Sequence, residues 1–139
     1  MVSKLSSNGV AGFILANGAL SADGTEGEIR RKMIERGLVE AIVILPRNLF
    51  YSTDISVTLW ILNANKKARI VHRNGEEIHY RDREKEILFI DMRQMGEPFE
   101  KKYVRFTDED ICKVADATTT GSERGIQKPI PIYRSSVNR

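Results

Sequence analysis

A single cysteine, Cys112, stands in 139 residues, so no internal disulfide can form. Beside it are only His72 and His79, and their spacing builds no zinc site, which sets aside metal and Cys-His chemistry. No apolar run approaches the roughly 18 residues that a spanning helix needs, and residues 1–8 lack the apolar core of a signal peptide. A soluble, cytoplasmic protein is the expectation. Proline is scarce too: Pro46, Pro98, Pro129 and Pro131 are the four, and none adjoins another.

What is present suits one domain of ordinary size, since 41% of the residues are hydrophobic and the chain is long enough to bury a core. The formal charge of +3 sits mainly at the end, where residues 118–139 hold Arg124, Lys128, Arg134 and Arg139 against Glu123 alone. Terminal tails often carry such charge for solubility, so this excess does not by itself identify a nucleic-acid binder.

Taken in order, residues 1–7 read as a closing turn, broken by Asn8-Gly9. Val10–Ala16 (VAGFILA) is continuously apolar, as a strand covered on both faces would be, and Asn17-Gly18 ends it. Residues 25–37 (TEGEIRRKMIERG) predict a helix with a Thr25/Glu28 capping box, acids in its first turn and Gly37 as the stop. Ile29, Met33 and Ile34 make its apolar stripe, and a Glu28–Lys32 pair is expected on the solvated face. Val39–Leu45 and Ile55–Leu62 are two further apolar strands. Strand, helix, strand is a βαβ pattern whose ligand site should lie beyond the carboxyl ends of the strands. The link from residue 46 to 54 is too short for a parallel crossover, so the third strand must run antiparallel to the second.

That link, PRNLFYSTD, is the candidate site, because it joins two strands through a proline and an aromatic pair where most hairpins turn on Gly or Asn. Phe50 and Tyr51 could form a stacking surface, or Leu49 and Phe50 could plug the end of the sheet. Arg47 and Asn48 could approach phosphate, and Asn17 the pocket floor, although all three residues also suit turns. Arg30 and Arg31 on the helix are further phosphate candidates, or members of an ion-paired surface. Trp60 reads as core. Beyond the third strand, Asn74-Gly75 predicts a hairpin with a type I′ turn over 69–80, with His72 and His79 flanking it and able to pair across it. Residues 86–92 predict a strand and 94–106 a loop. Thr107 caps a helix over 108–115 with Ile111 and Val114 inward, and residues 118–139 suit an extended or disordered tail.

GVAGFILANGALS, GTEGEIRRKMIERGLVEAIVILPRNLFYSTDISVTLWILN, KEILFIDMRQMG and FTDEDICKVAD together resemble the carboxyl half of the catalytic domain of type I restriction-modification methyltransferase subunits. The likeness is dense over residues 4–67 and thinner over 86–117. It implies an adenine-N6 DNA methyltransferase that uses S-adenosylmethionine and works with specificity and restriction subunits on DNA. The family's glycine-rich donor turn and its Asn-Pro-Pro-Phe/Tyr loop are both missing from this sequence.

The resemblance therefore implies a fragment of the α/β class, a partial Rossmann-like sheet whose strands match the fifth, sixth and seventh, the seventh antiparallel and inserted between the other two. A hairpin and a short carboxyl-terminal helix are added to it. Residues 1–117 would be the end of the catalytic domain and 118–139 a tail. An everted adenine would face Phe50, with Tyr51 and Asn17 in the same pocket and Arg47, Asn48, Arg30 and Arg31 toward DNA. No catalytic residue and no donor binding are expected of the fragment itself, and Val10–Ala16, left without its neighbour, is expected to pair two copies. The competing reading is a non-enzymatic module or relict that holds DNA or a subunit through the basic helix and tail.

Overall fold

The computed structural model describes residues 2–21, 23–50, 55–100, 102–120 and 132–136. Its centre is a five-stranded mixed sheet in the order β1-β3-β2-β6-β9, built from β1 (Val10–Ala16), β2 (Val39–Ile44), β3 (Val57–Asn63), β6 (Glu86–Asp91) and β9 (Ile132–Ser136). β3 runs antiparallel to both β1 and β2 and lies between them, so β1 and β2 are parallel to each other without touching. This is the arrangement expected for the three apolar strands. β6 then joins β2 in parallel, and β9 closes the far side antiparallel to β6.

Two apolar layers cover the sheet, one on each face. On the first face Ala41, Val43, Leu45, Val57, Leu88, Ile90 and Met92 form a buried cluster with Ala117 of α2 (Asp108–Thr120). On the other, Val39, Ile42, Trp60, Leu62 and Ile87 pack with Met33 and Ile34 of α1 (Gly24–Glu35) and with Val2 and Leu5 from the amino-terminal 3-10 turn. The Trp60 ring lies almost parallel to that of Phe13 at 6.2 Å, and its Nε1 donates to Thr58 Oγ1 at 3.0 Å, which satisfies the indole while its body fills the core.

Several local expectations fail for identifiable reasons. β1 is covered on one face only: its residues alternate exposed and half-buried, because α2 reaches β2 and β6 but not this outermost strand. Ile29 is 54% exposed and Ile111 55%, and neither joins the apolar layer to which Met33, Ile34 and Val114 of the same helices belong. The Thr25/Glu28 capping box is not the start of α1; the helix begins at Gly24, after Asp23, which caps it without a side-chain hydrogen bond. The helix surface pairs Arg31 with Glu35 at 4.0 Å, an exposed contact worth little.

Residues 94–106 are more than a loop. They contain a small hairpin, β7 (Glu97–Phe99) and β8 (Tyr103–Arg105), whose approach at Gly96 needs φ +92°. The larger hairpin, β4 (Arg69–Arg73) and β5 (Glu76–Tyr80), turns on Asn74 and Gly75 with φ +52° and +81°, the two positive values that a type I′ turn demands. His72 and His79 meet the same carboxylate, that of Glu77, rather than each other. Thr107 does cap α2: its Oγ1 accepts from the Asp110 amide at 3.2 Å while Asp110 Oδ2 accepts from the Thr107 amide at 3.1 Å. The helix continues past 115 to Thr120, and residues 132–136 supply a strand within the stretch expected as a tail.

Candidate functional site

Because β1, β2 and β6 point the same way, their carboxyl ends share one rim of the sheet. The rim holds Asn17, then Pro46 to Phe50, then Asp91 to Met95. The chain leaves β2 through a tight neck in which Leu45 N–H donates to Val57 O at 2.9 Å and Ser56 Oγ donates to Leu45 O at 2.6 Å. Pro46 is buried, Arg47 is exposed, and Asn48 takes a left-handed φ of +59°, a conformation asparagine tolerates better than most residues. Asn48 O accepts the Val104 amide at 3.0 Å, which ties the link to the β7–β8 hairpin. Its Oδ1 is buried with no hydrogen-bond partner.

Leu49 and Phe50 are half-buried and pack on the cluster of Ala41, Val43 and Leu45, beside Met95 and Phe106. Phe50 thus has one side on the core, and it lines neither of the two clefts that flank α1. Tyr51, the other half of the aromatic pair, lies outside the described residues. Asn17 is exposed at the end of β1, where it opens the 3-10 turn Asn17–Leu20. Arg30 is tied to that turn, its Nη1 donating to Ala19 O at 2.6 Å, whereas Arg31 points to Glu35 on the helix surface. The structure therefore gathers Asn17, Arg47, Asn48 and Phe50 at one rim with Arg30 braced behind it, and leaves Arg31 out.

Two charged groupings were not singled out in the sequence. On the rim, Arg93 Nη2 meets Asp91 Oδ2 at 2.6 Å, and the hydrogen bonds from Arg93 hold the Asp91 carboxyl below its ordinary range against a smaller opposing effect of burial. At the opposite end of the sheet, a bulge between Val39 and Ala41 turns Glu40 inward. There Asn63 Nδ2 donates to Glu40 Oε2 at 2.6 Å, and Arg83 Nη1 donates to Thr118 O at 2.6 Å at the end of α2. Lys66 Nζ donates to Val39 O at 2.9 Å and Glu86 O at 2.6 Å, and burial pushes its ammonium below the usual lysine value, with Glu40 opposing and Arg83 reinforcing. The signal for this network was a lone Glu inside an otherwise apolar strand. Among the described residues no group of His, Cys, Asp and Glu is placed to hold a metal, and no helix is long and apolar enough to cross a membrane.

Residues 1–129 match the family model described as N-6 DNA Methylase. The HindI methylase subunit of the type I restriction enzyme of Haemophilus influenzae is 42% identical over 117 residues, which is 84% of this chain and 23% of that protein. The MjaIX methylase subunit of Methanocaldococcus jannaschii is 37% identical over 109 residues, 78% of this chain and 17% of the relative. Among solved structures, the type I restriction-modification methyltransferase subunit of Streptococcus thermophilus superposes with a TM-score of 0.67 at 27% identity, over 92% of this chain and 23% of that one. The chain belongs to the N-6 DNA methylase family. It corresponds to a portion of the type I restriction-modification methyltransferase subunits and spans about a quarter or less of the length of these relatives.

Proposed function

We propose that this chain is the base-side portion of an adenine-N6 DNA methyltransferase of the type I restriction-modification class. On this reading β1, β2 and β3 are the fifth, sixth and seventh strands of the methyltransferase sheet. The observation that carries it is the link at residues 46–54, which connects β2 to a reversed strand seated between β2 and β1, in a chain matched to the family over residues 1–129. An adenine in a duplex is out of reach of a methyl donor and must be turned out of the stack, and an aromatic face then holds it. Phe50 offers such a face at the rim, with Tyr51 next in sequence, Asn17 at the neighbouring strand end, and Arg47, Asn48 and Arg30 toward the DNA backbone.

S-adenosylmethionine is the methyl donor of the whole enzyme in this account. The glycine-rich turn that the family uses for the donor is not among the motifs of this sequence. The work of this chain is to hold and orient the base. DNA and the specificity and restriction subunits are its proposed partners, in the cytoplasm.

The test is a chimera in which this chain replaces the matching stretch of the HindI methylase subunit, assembled with the other subunits of that system. Methylation of adenine in DNA is expected, and its loss in Phe50→Ala. A folded chimera that transfers no methyl group, or an unaffected Phe50→Ala, refutes the assignment of the site.

A further inference from the structure

β6 runs parallel to β2 with Asp91 level with Ile44, and Met92 N–H donates to Ile44 O at 2.9 Å. Asp91 therefore stands one strand spacing, about 4.8 Å, from Ile44, two residues before the link that carries Phe50 begins. Its carboxylate governs the residue that follows Met92. Asp91 Oδ1 accepts the Arg93 amide at 3.0 Å, and the same carboxylate accepts Arg93 Nε at 2.9 Å and Nη2 at 2.6 Å. The guanidinium is gripped at two nitrogens in a planar fork, a geometry that lysine cannot copy.

The Asp91 side chain is 20% exposed and that of Arg93 59%, so the carboxylate is the sheltered member and the guanidinium is the part presented to solvent. An ion pair this open adds little to stability, so folding alone does not account for the arrangement. It does set the orientation of a cation before any ligand arrives. An untethered arginine loses rotamer freedom when it binds phosphate, and this one has already given that freedom up to Asp91. The pair lies on the carboxyl rim of the parallel strands, where ligands of such sheets bind, on the same rim as the exposed Arg47.

We propose that Arg93 grips a phosphate of the DNA backbone next to the nucleotide held at Phe50, with Asp91 as the positioning residue that aims it. This contact rests on the base-side reading and extends it to β6. The chimera with the HindI methylase subunit tests it through DNA affinity measured across a range of salt, unaltered and as Arg93→Gln, Arg93→Lys and Asp91→Asn. Arg93→Gln is expected to weaken binding about tenfold and to reduce the slope of log affinity against log salt by about one. Arg93→Lys should keep the slope and recover only part of the affinity. Asp91→Asn separates aim from charge: removing a negative charge from the rim would by itself tighten binding, whereas loss of the fork should loosen it. An Arg93→Gln chimera that methylates adenine and binds DNA with unchanged affinity and slope overturns the phosphate contact and leaves the base-side reading standing. Tighter binding in Asp91→Asn overturns the positioning role of Asp91. A folded chimera that transfers no methyl group refutes the base-side reading and this contact with it.

Discussion

Glu40 Oε1 and Arg83 Nη2 lie 2.6 Å apart, both side chains 7% exposed, yet the contact is not aligned as a hydrogen bond: Glu40 Oε1 and Arg83 Nε have no hydrogen-bond partner. The pair is held by charge, with Asn63 and Thr118 O supplying the aligned hydrogen bonds. Removing one member strands the other in a low-dielectric interior. Arg83→Ala should lower unfolding stability by about 3–5 kcal/mol, and the double variant Glu40→Leu, Arg83→Met by much less than the two single changes combined. Urea denaturation of the wild type, Arg83→Ala, Glu40→Leu, Arg83→Met and the double variant measures both.

Lys66 belongs to the same network and gives it a pH dependence. Burial lowers its folded value below 10.5, so between the two values the unfolded chain binds more protons. Stability should therefore rise with pH through the window just below 10.5, and the penalty should be complete below the folded value. In Lys66→Met that rise should vanish, as read from denaturation at about pH 7 and about pH 10.

Asp91 gives stability the same direction of change with pH, at the acid end, but as a stabilising contribution and not a penalty. Its folded value is lowered chiefly by the Arg93 hydrogen bonds, so its contribution is present above 3.8 and is lost as pH falls through the folded value. Arg93→Gln should return the Asp91 titration toward 3.8 in a carboxyl-detected NMR experiment.

Phe50 can be separated into its packing and its ring. Phe50→Leu keeps most of the half-buried apolar contact and should cost under about 1.5 kcal/mol in stability. The same change removes the aromatic face, and in the chimera it should weaken the hold on an everted base by about 1–3 kcal/mol. A base-binding loss as small as the stability loss would assign Phe50 to packing alone.

Gly96 braces the rim from behind. A Cβ there would lie 2.6 Å from Val104 Cγ1 and 2.9 Å from Arg105 O, at a φ of +92°. Gly96→Ala should destabilise the β7–β8 hairpin by about 1–3 kcal/mol. Faster exchange of the Val104 amide, which is bonded to Asn48 O, is the expected sign.

The three apolar strands and the reversal of the third were legible because two rules suffice for them: continuous short apolar runs make strands, although β1 proved covered on one face only, and a short link forbids a parallel return. Thr107 and Asn74-Gly75 were legible because capping and type I′ turns are local. The parallel docking of β6 on β2 was not, since nothing local to Glu86–Asp91 says which strand it will join. That omission kept Asp91 and Arg93 away from the rim in the sequence reading. Glu40 was missed for a related reason, because its bulge and its partner Arg83 exist only once β2, β3 and the segment after the larger hairpin have met. Pro98 and strands of three residues hid the small hairpin. Phe50 was open between plug and platform in the sequence, and the structure seats it on the core with part of its surface left at the rim.

The reversed position of β3 also sets the order in which the molecule can be made. On the ribosome, Val10–Ala16 and Val39–Ile44 emerge before Val57–Asn63, and neither can pair with β3 until residue 63 is free of the exit tunnel. Two apolar segments therefore wait for a third, which then zips between them like a wedge closing a gap. During that interval their ladder groups and apolar side chains lack the strand that is to join them.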